Sequence, residues 1–223
     1  GYVTPDKPAN LFGMFNERIS THVAEPITAT ALALEGPDGT HAIWISCDIL
    51  NIPLDVTDEI RDAVAAKING FNPKHLLISC THTHNAPNFY LGLFPTPPPE
   101  AITPTGDRTL FVDLVTKVAL QSWENRTTGQ VAPALGHAVI GWCRRVVFSN
   151  GTGQMYGDTT RDDFTRVEGP MDPGVEILFT YTMNGDISGA LVSVTCTAQT
   201  CMGDNSLTAD LWAPVRRNLR AHF

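Results

Sequence analysis

Two histidines one residue apart, His82 and His84, close the apolar run Leu76-Leu77-Ile78-Ser79-Cys80-Thr81, and Pro87 then stops the segment. In extended chain, alternate side chains share a face, which sends both imidazoles the same way, about 6–7 Å apart. That spacing suits two groups at one metal ion, or a ligand and the neighbour that steadies it; it suits equally well a polar pocket lined by two histidines. Zinc takes neutral imidazole readily, and a strand end that opens onto a loop combines rigidity with access. A carboxylate occupies a comparable place, because Asp48 ends the apolar run His41-Ala42-Ile43-Trp44-Ile45-Ser46-Cys47. It either belongs to the same site or is a buried acid that holds a neighbouring loop.

The elements between these two runs decide whether they meet. Thr28–Leu34 alternates loosely, Gly36-Pro37-Asp38-Gly39 is a turn, and residues 41–48 form a strand, so a hairpin is expected. Asp55 suits an N-cap, Val56, Ile60, Val64 and Ile68 recur at helical spacing, and Gly70 supplies a stop. Strand, helix and strand over about 41–84 make a βαβ unit, whose crossover sets the strands parallel. Parallel strands end on one rim, so Asp48, His82 and His84 are expected where open α/β sheets bind ligands. The proline-rich stretch 85–106 is too long for an ordinary connection and reads as a lid or a docking surface. A helix is expected over 107–123. The second half changes period: strands over 131–140, 143–148, 174–181 and 187–197 surround Asn150-Gly151 and Asn184-Gly185, dipeptides that favour hairpins. A last helix is expected from about Thr208, with Pro214 confined to its first turns. The fold class is therefore α/β: mixed sheets with one parallel βαβ unit, then mainly antiparallel hairpins, with helices packed outside.

Composition narrows the partners. With 43% hydrophobic residues in 223, the chain can bury a real core. A net charge of −8 with only 15 Lys+Arg leaves no basic stripe for a phosphate backbone, which argues against nucleic acid. No apolar run reaches the roughly 20 residues of a membrane-spanning helix. The five cysteines follow no disulfide-scaffold spacing. The tryptophans Trp44, Trp123, Trp142 and Trp212 sit in apolar patterns and are expected in the core.

Taken together, Thr81-His82-Thr83-His84-x-x-Pro87, the preceding strand ending on Asp48, Cys143-Arg144-Arg145, Gly169-x-x-Asp172 before an apolar strand, and Thr208-Ala209-Asp210 after the last strand resemble the amino-terminal catalytic portion of the neutral ceramidase family. The likeness runs in order over nearly all of residues 1–223 and shows no internal boundary. It implies that His82 is the first zinc ligand and that His84 lies beside the metal and handles protons. Arg144 takes the place of an arginine that reaches the active site, where a guanidinium can hold an oxyanion. The family's next zinc ligand, a histidine at the end of the last strand, falls on Cys196, with Gln199 close by; a thiolate can ligate zinc, although a buried thiol is the commoner fate of cysteine. Asp48, Gln199 and Asp210 are then supporting or substrate-facing residues. The family's glutamate and tyrosine ligands have no counterpart in the matched region. The resemblance thus implies the front part of an active domain, completed by a second polypeptide or a missing segment, or else a relative with an incomplete site. It favours a secreted or periplasmic location.

The activity implied is zinc-dependent hydrolysis of an amide bond in a ceramide-like or related N-acyl lipid or small-molecule substrate, by metal-activated water. Two rivals stand beside it. One is a metallohydrolase of another class, but the metallo-β-lactamase pattern needs Asp and His where Ala86 and Pro87 stand. The other is a non-catalytic module that keeps the scaffold without the chemistry.

Overall fold

The computed structural model describes residues 1–223. In chain order the elements are β1 (His22–Val23), β2 (Ala29–Glu35), β3 (His41–Cys47), α1 (Leu54–Ala65), a 3-10 turn (Pro73–His75), β4 (Leu76–Cys80), α2 (Pro104–Glu124), β5 (Gly129–His137), β6 (Arg145–Phe148), β7 (Gly153–Met155), β8 (Phe164–Val167), β9 (Gly174–Thr182), β10 (Ile187–Val194), β11 (Ser206–Leu207) and α3 (Trp212–His222). The chain mixes parallel and antiparallel pairings with three α-helices, so the α/β class holds. Packing sorts it into two compact units: residues 1–127 with 198–223, and residues 128–197.

The first unit is built on the sheet β2-β3-β4. Here β2 and β3 form the expected hairpin, and β3 and β4 run parallel with Cys47 opposite Cys80. The βαβ crossover is therefore present, with α1 between the two parallel strands. Ile43, Ile45, Cys47 and Leu76 lie in the core together with Val56, Ile60 and Val64 of α1 and Phe111, Val115 and Val118 of α2. Trp44 alternates to the other face and is 41% exposed, against expectation. Trp142, in the connection between β5 and β6, is also outside the core, at 70% exposed. An apolar neighbourhood in sequence does not tell which face of a strand is covered.

Helix boundaries differ from the sequence pattern for local reasons. The α1 cap position is Pro53 rather than Asp55, and no side chain caps it. Helix α2 begins a turn earlier than expected, because Thr103 accepts from the Gly106 N–H and Pro104 sits in the first turn, where its missing N–H costs nothing. The proline-rich stretch starts in the core, with residues 85–89 buried and Phe89 stacked on Phe111 at a ring-centroid distance of 4.8 Å, and residues 90–100 then run mostly over the surface. His41 packs against the rings of Phe71, His75 and Trp123 in an aromatic cluster.

The second unit holds two antiparallel sheets, β10-β9-β5 and β7-β6-β8. Strand β5 pairs with β9 rather than with β6, so Pro133 lies on an edge strand, where a missing N–H is tolerated. Gly151 and Gly185 take positive φ in the two turns, of 80° and 91°. Val146 and Phe148 are buried, whereas no side chain of β5, β9 or β10 is fully buried.

Candidate active site

The histidine pair lies just past the end of β4, but not in extended chain. Strand β4 stops at Cys80, and His82 has φ of 63°, in the left-handed region. A non-glycine residue there is strained and persists only where its surroundings hold it. They do: the Thr81 N–H donates to the Cys47 carbonyl, the His82 N–H to Ile49, and the Ala198 N–H to Thr81. The two rings meet all the same, with centroids 5.2 Å apart and planes at 63°. Strand alternation thus gives the right pairing for the wrong reason; the kink at His82 does the work.

Each imidazole is oriented through one nitrogen. His82 Nδ1 is 3.1 Å from the Leu50 carbonyl oxygen, which can only accept, so Nδ1 carries the proton. Nε2 then keeps its lone pair on a half-buried ring, the state a metal ligand needs. His84 is buried, and its Nε2 lies against the amide nitrogen of Gln199. An amide nitrogen donates, so His84 Nε2 accepts.

The loop carrying both rings is tied from several sides. Thr83 Oγ1 donates to the Thr208 carbonyl at 2.9 Å. Asn85 Nδ2 donates to the carbonyls of Asp204 and Ser206, and the Thr208 N–H returns a bond to the Asn85 carbonyl. Arg18 Nη2 reaches the His84 carbonyl and Nη1 the Asp204 carbonyl. Gly13, with φ of 119°, approaches so closely that a Cβ there would lie 2.5 Å from His84 Cγ.

Asp48 arrives at the same rim, as its place after β3 implies, and its role is structural. It is fully buried, and its carboxylate takes two bonds from Arg216 at 2.6 and 2.8 Å. It also accepts from the Thr28 N–H and hydroxyl, and from Thr81 Oγ1 at 3.3 Å. Thr81 precedes His82, so Asp48 anchors the site from behind. Asp210 likewise turns inward: with φ of 53°, it accepts from the N–H groups of Thr200, Cys201 and Leu211 and from the Thr200 hydroxyl. Burial pushes its carboxyl pKa up, but these bonds together outweigh that and leave it below the usual value. By fixing Thr200 and Cys201, Asp210 fixes the segment that carries Gln199.

Arg144 and Cys196 belong to the second unit. Arg144 Nη1 donates to the Tyr156 hydroxyl at 3.0 Å. Cys196 lies beyond the end of β10, not within the strand, and its thiol is 3.5 Å from the Thr197 carbonyl. No group of three or more His, Cys, Asp or Glu side chains is arranged to hold a metal ion. The chain offers two imidazoles, short of the three protein ligands usual in a catalytic zinc site. The donor chemistry fits part of such a site, with His82 Nε2 as the best-prepared ligand.

Sequence reasoning missed Arg18 and Gly13. Both lie in a segment, residues 10–18, whose composition signals nothing; its contacts with residues 84–88 are long-range. The two cysteines of the sheet, Cys47 buried and Cys80 partly so, are not chemically poised, because desolvation pushes the Cys80 thiol up to about 12 and Cys47 well above its usual value.

No family model matches the sequence, and no curated protein matches it. Solved structures do. The fold is similar to that of neutral ceramidase from Pseudomonas aeruginosa, with a TM-score of 0.71 at 16% identity over 95% of this chain. It is similar also to a ceramidase complexed with C2, with a TM-score of 0.71 at 15% identity. The chain spans about a third of the length of these proteins, 33% and 32%. The fold is thus ceramidase-like. No helix is long and apolar enough to cross a membrane.

Proposed function

We propose that this chain is the amino-terminal part of a zinc-dependent hydrolase that cleaves the amide bond of a ceramide-like or related N-acyl substrate. The observation that carries the proposal is the oriented histidine pair at the end of parallel strands, in a ceramidase-like fold. His82, through Nε2, and the Cys196 thiolate are the zinc ligands from this chain. The ligands that complete the set come from a second polypeptide or segment corresponding to the part of the ceramidase chain that lies outside the match. The incompletely covered sheet β10-β9-β5 supports such a counterpart, since a three-stranded sheet needs a packed face to be stable.

Zinc, when bound, supplies a Lewis acid and a water acidified to a pKa of about 7. The chain's own residues position and move charge around it. His84 is the residue assigned to proton handling: its Nε2, which accepts from Gln199 in the resting site, would take a proton from the attacking water once that amide is displaced and would return it to the leaving amine. Arg144 is the cation assigned to the developing oxyanion. Asp48 and Asp210 act only through the segments they hold.

The test is hydrolysis of a fluorogenic N-acyl sphingosine by the chain together with its completing counterpart. His82→Ala is expected to lower the rate at least about a thousandfold, the scale of losing a group central to catalysis. A non-catalytic ceramidase-like module is the second reading, favoured by the lack of a three-ligand group in the chain itself. Zinc-loaded assembly with no activity on N-acyl lipids, other amides or esters would decide for that module.

A further inference from the structure

Arg18 has no partner of opposite charge within bonding distance: its two terminal nitrogens donate to main-chain carbonyls, and its Nε makes no hydrogen bond. Yet it is only 7% exposed. A buried guanidinium without a carboxylate partner is costly to keep. Burial depresses its pKa, and only the more distant charge of Asp204 opposes that. Its two carbonyls identify what the residue does. One belongs to His84 and the other to Asp204, so a rigid planar fork spans the histidine loop and the segment that leads into β11. Asn85 bonds the same Asp204 carbonyl from the loop side.

The same short segment also meets the ring itself. Residues 10–18 double back, with the Leu11 N–H donating to the Arg18 carbonyl, and Phe12 bonds to the Ala86 carbonyl. Gly13 is carried by this turn onto His84, where a Cβ would lie 2.5 Å from Cγ and 2.6 Å from Nδ1. Gln199 meets the ring's other end at Nε2. The imidazole is bounded by Gly13 and Gln199, while its backbone is held by Arg18.

We propose that Arg18 is a positioning residue for His84, fixing its backbone so that the ring is held in one orientation between Gly13 and Gln199. Its functional weight rests on the proposed proton-carrying role of His84, but its effect on the ring is independent of that role. An arginine is required rather than any cation, because only the guanidinium fork donates along two separated directions at fixed geometry.

The test compares Arg18→Lys, Arg18→Gln and Gly13→Ala with the wild-type chain. The readout is the side-chain 15N and 13C resonances of selectively labelled histidine, with His82 and His84 assigned by His82→Gln and His84→Gln, and thermal unfolding followed in parallel. In the wild type, one set of His84 signals is expected, in the tautomer protonated at Nδ1. Arg18→Gln is expected to give a second His84 set or exchange-broadened signals, while His82, held separately by Leu50, stays unchanged. Arg18→Lys keeps the charge but not the fork and is expected to resemble Arg18→Gln; full rescue by lysine would overturn the fork argument. Gly13→Ala perturbs the same ring without touching Arg18 and calibrates the signal of a displaced His84; if the Arg18 variants do not fold, 15N-arginine labelling of the wild type decides, with slowly rotating Arg18 Nη groups expected and freely rotating ones overturning the fork. His84 signals unchanged in all folded variants would overturn the proposal. Where the completed assembly is active, Arg18→Gln should lower kcat about ten- to a hundredfold with little change in KM, the scale seen for supporting residues of a site. A normal kcat with perturbed His84 signals would count against the role of His84 and leave the positioning role standing.

Discussion

Replacing Asp48 with alanine should destabilise the first unit by about 3–5 kcal/mol, the usual consequence of stranding one partner of a buried ion pair. Asp48 is 0% exposed, and Arg216 donates to both of its oxygens. With the carboxylate gone, the guanidinium of α3 loses its counter-charge, and the Thr28 N–H and the hydroxyls of Thr28 and Thr81 lose their acceptor. Against a typical total of about 5–15 kcal/mol, that is a large fraction. Asp48→Asn keeps an acceptor for one or two of these donors but no charge, and should lose roughly half as much. The double variant Asp48→Ala with Arg216→Met should recover most of the loss, because the charge left behind, not the missing attraction, dominates. Urea unfolding with linear extrapolation measures all of these. Asp48→Ala within about 1 kcal/mol of wild type, or strictly additive single variants, would refute the reasoning.

Two carboxyls should give opposite pH signatures. Desolvation raises Asp107 to about 8 from an ordinary 3.8, so it stays protonated in the fold after it would ionise in the unfolded chain. Its contribution is full below about pH 4, is lost progressively up to about pH 8 and is flat above, so Asp107→Asn should gain a few kcal/mol relative to wild type at pH 8.5 and nothing at pH 4, by urea midpoint. For Asp210 burial acts upward, but its hydrogen bonds prevail and lower its pKa. Its contribution is therefore present above the unfolded value and lost as pH falls through the folded one; Asp210→Asn should flatten that acid limb in the same titration. Phe89→Ala removes a buried ring stacked on Phe111 and should lower stability by about 3–5 kcal/mol, measured by thermal or urea unfolding.

The parts of the fold that were legible in the sequence are those fixed by local pattern. Val56, Ile60 and Val64 gave α1 its buried face, and the crossover rule then placed β3 beside β4 with Asp48 and the histidines at one end. Asn-Gly pairs located the turns after β6 and β9. What was illegible depends on distant partners. Nothing near His82 in sequence reveals that Ile49 and Leu50 hold it in a left-handed turn. Nothing in residues 10–18 shows that they will lie against residue 84. The pairing of β5 with β9 skips three strands, a choice set by packing rather than by turn chemistry.

The most direct test of the metal site is elemental analysis of the chain in its native assembly, purified without chelator or nickel resin, as wild type, His82→Ala and Cys196→Ser. About one zinc per chain, lost in His82→Ala, is the predicted result, and its loss in Cys196→Ser as well would make that thiolate the second ligand from this chain. An assembly without zinc, or one that keeps its zinc in His82→Ala, would contradict the assignment of His82 as a metal ligand and leave the histidine pair as the lining of a polar pocket.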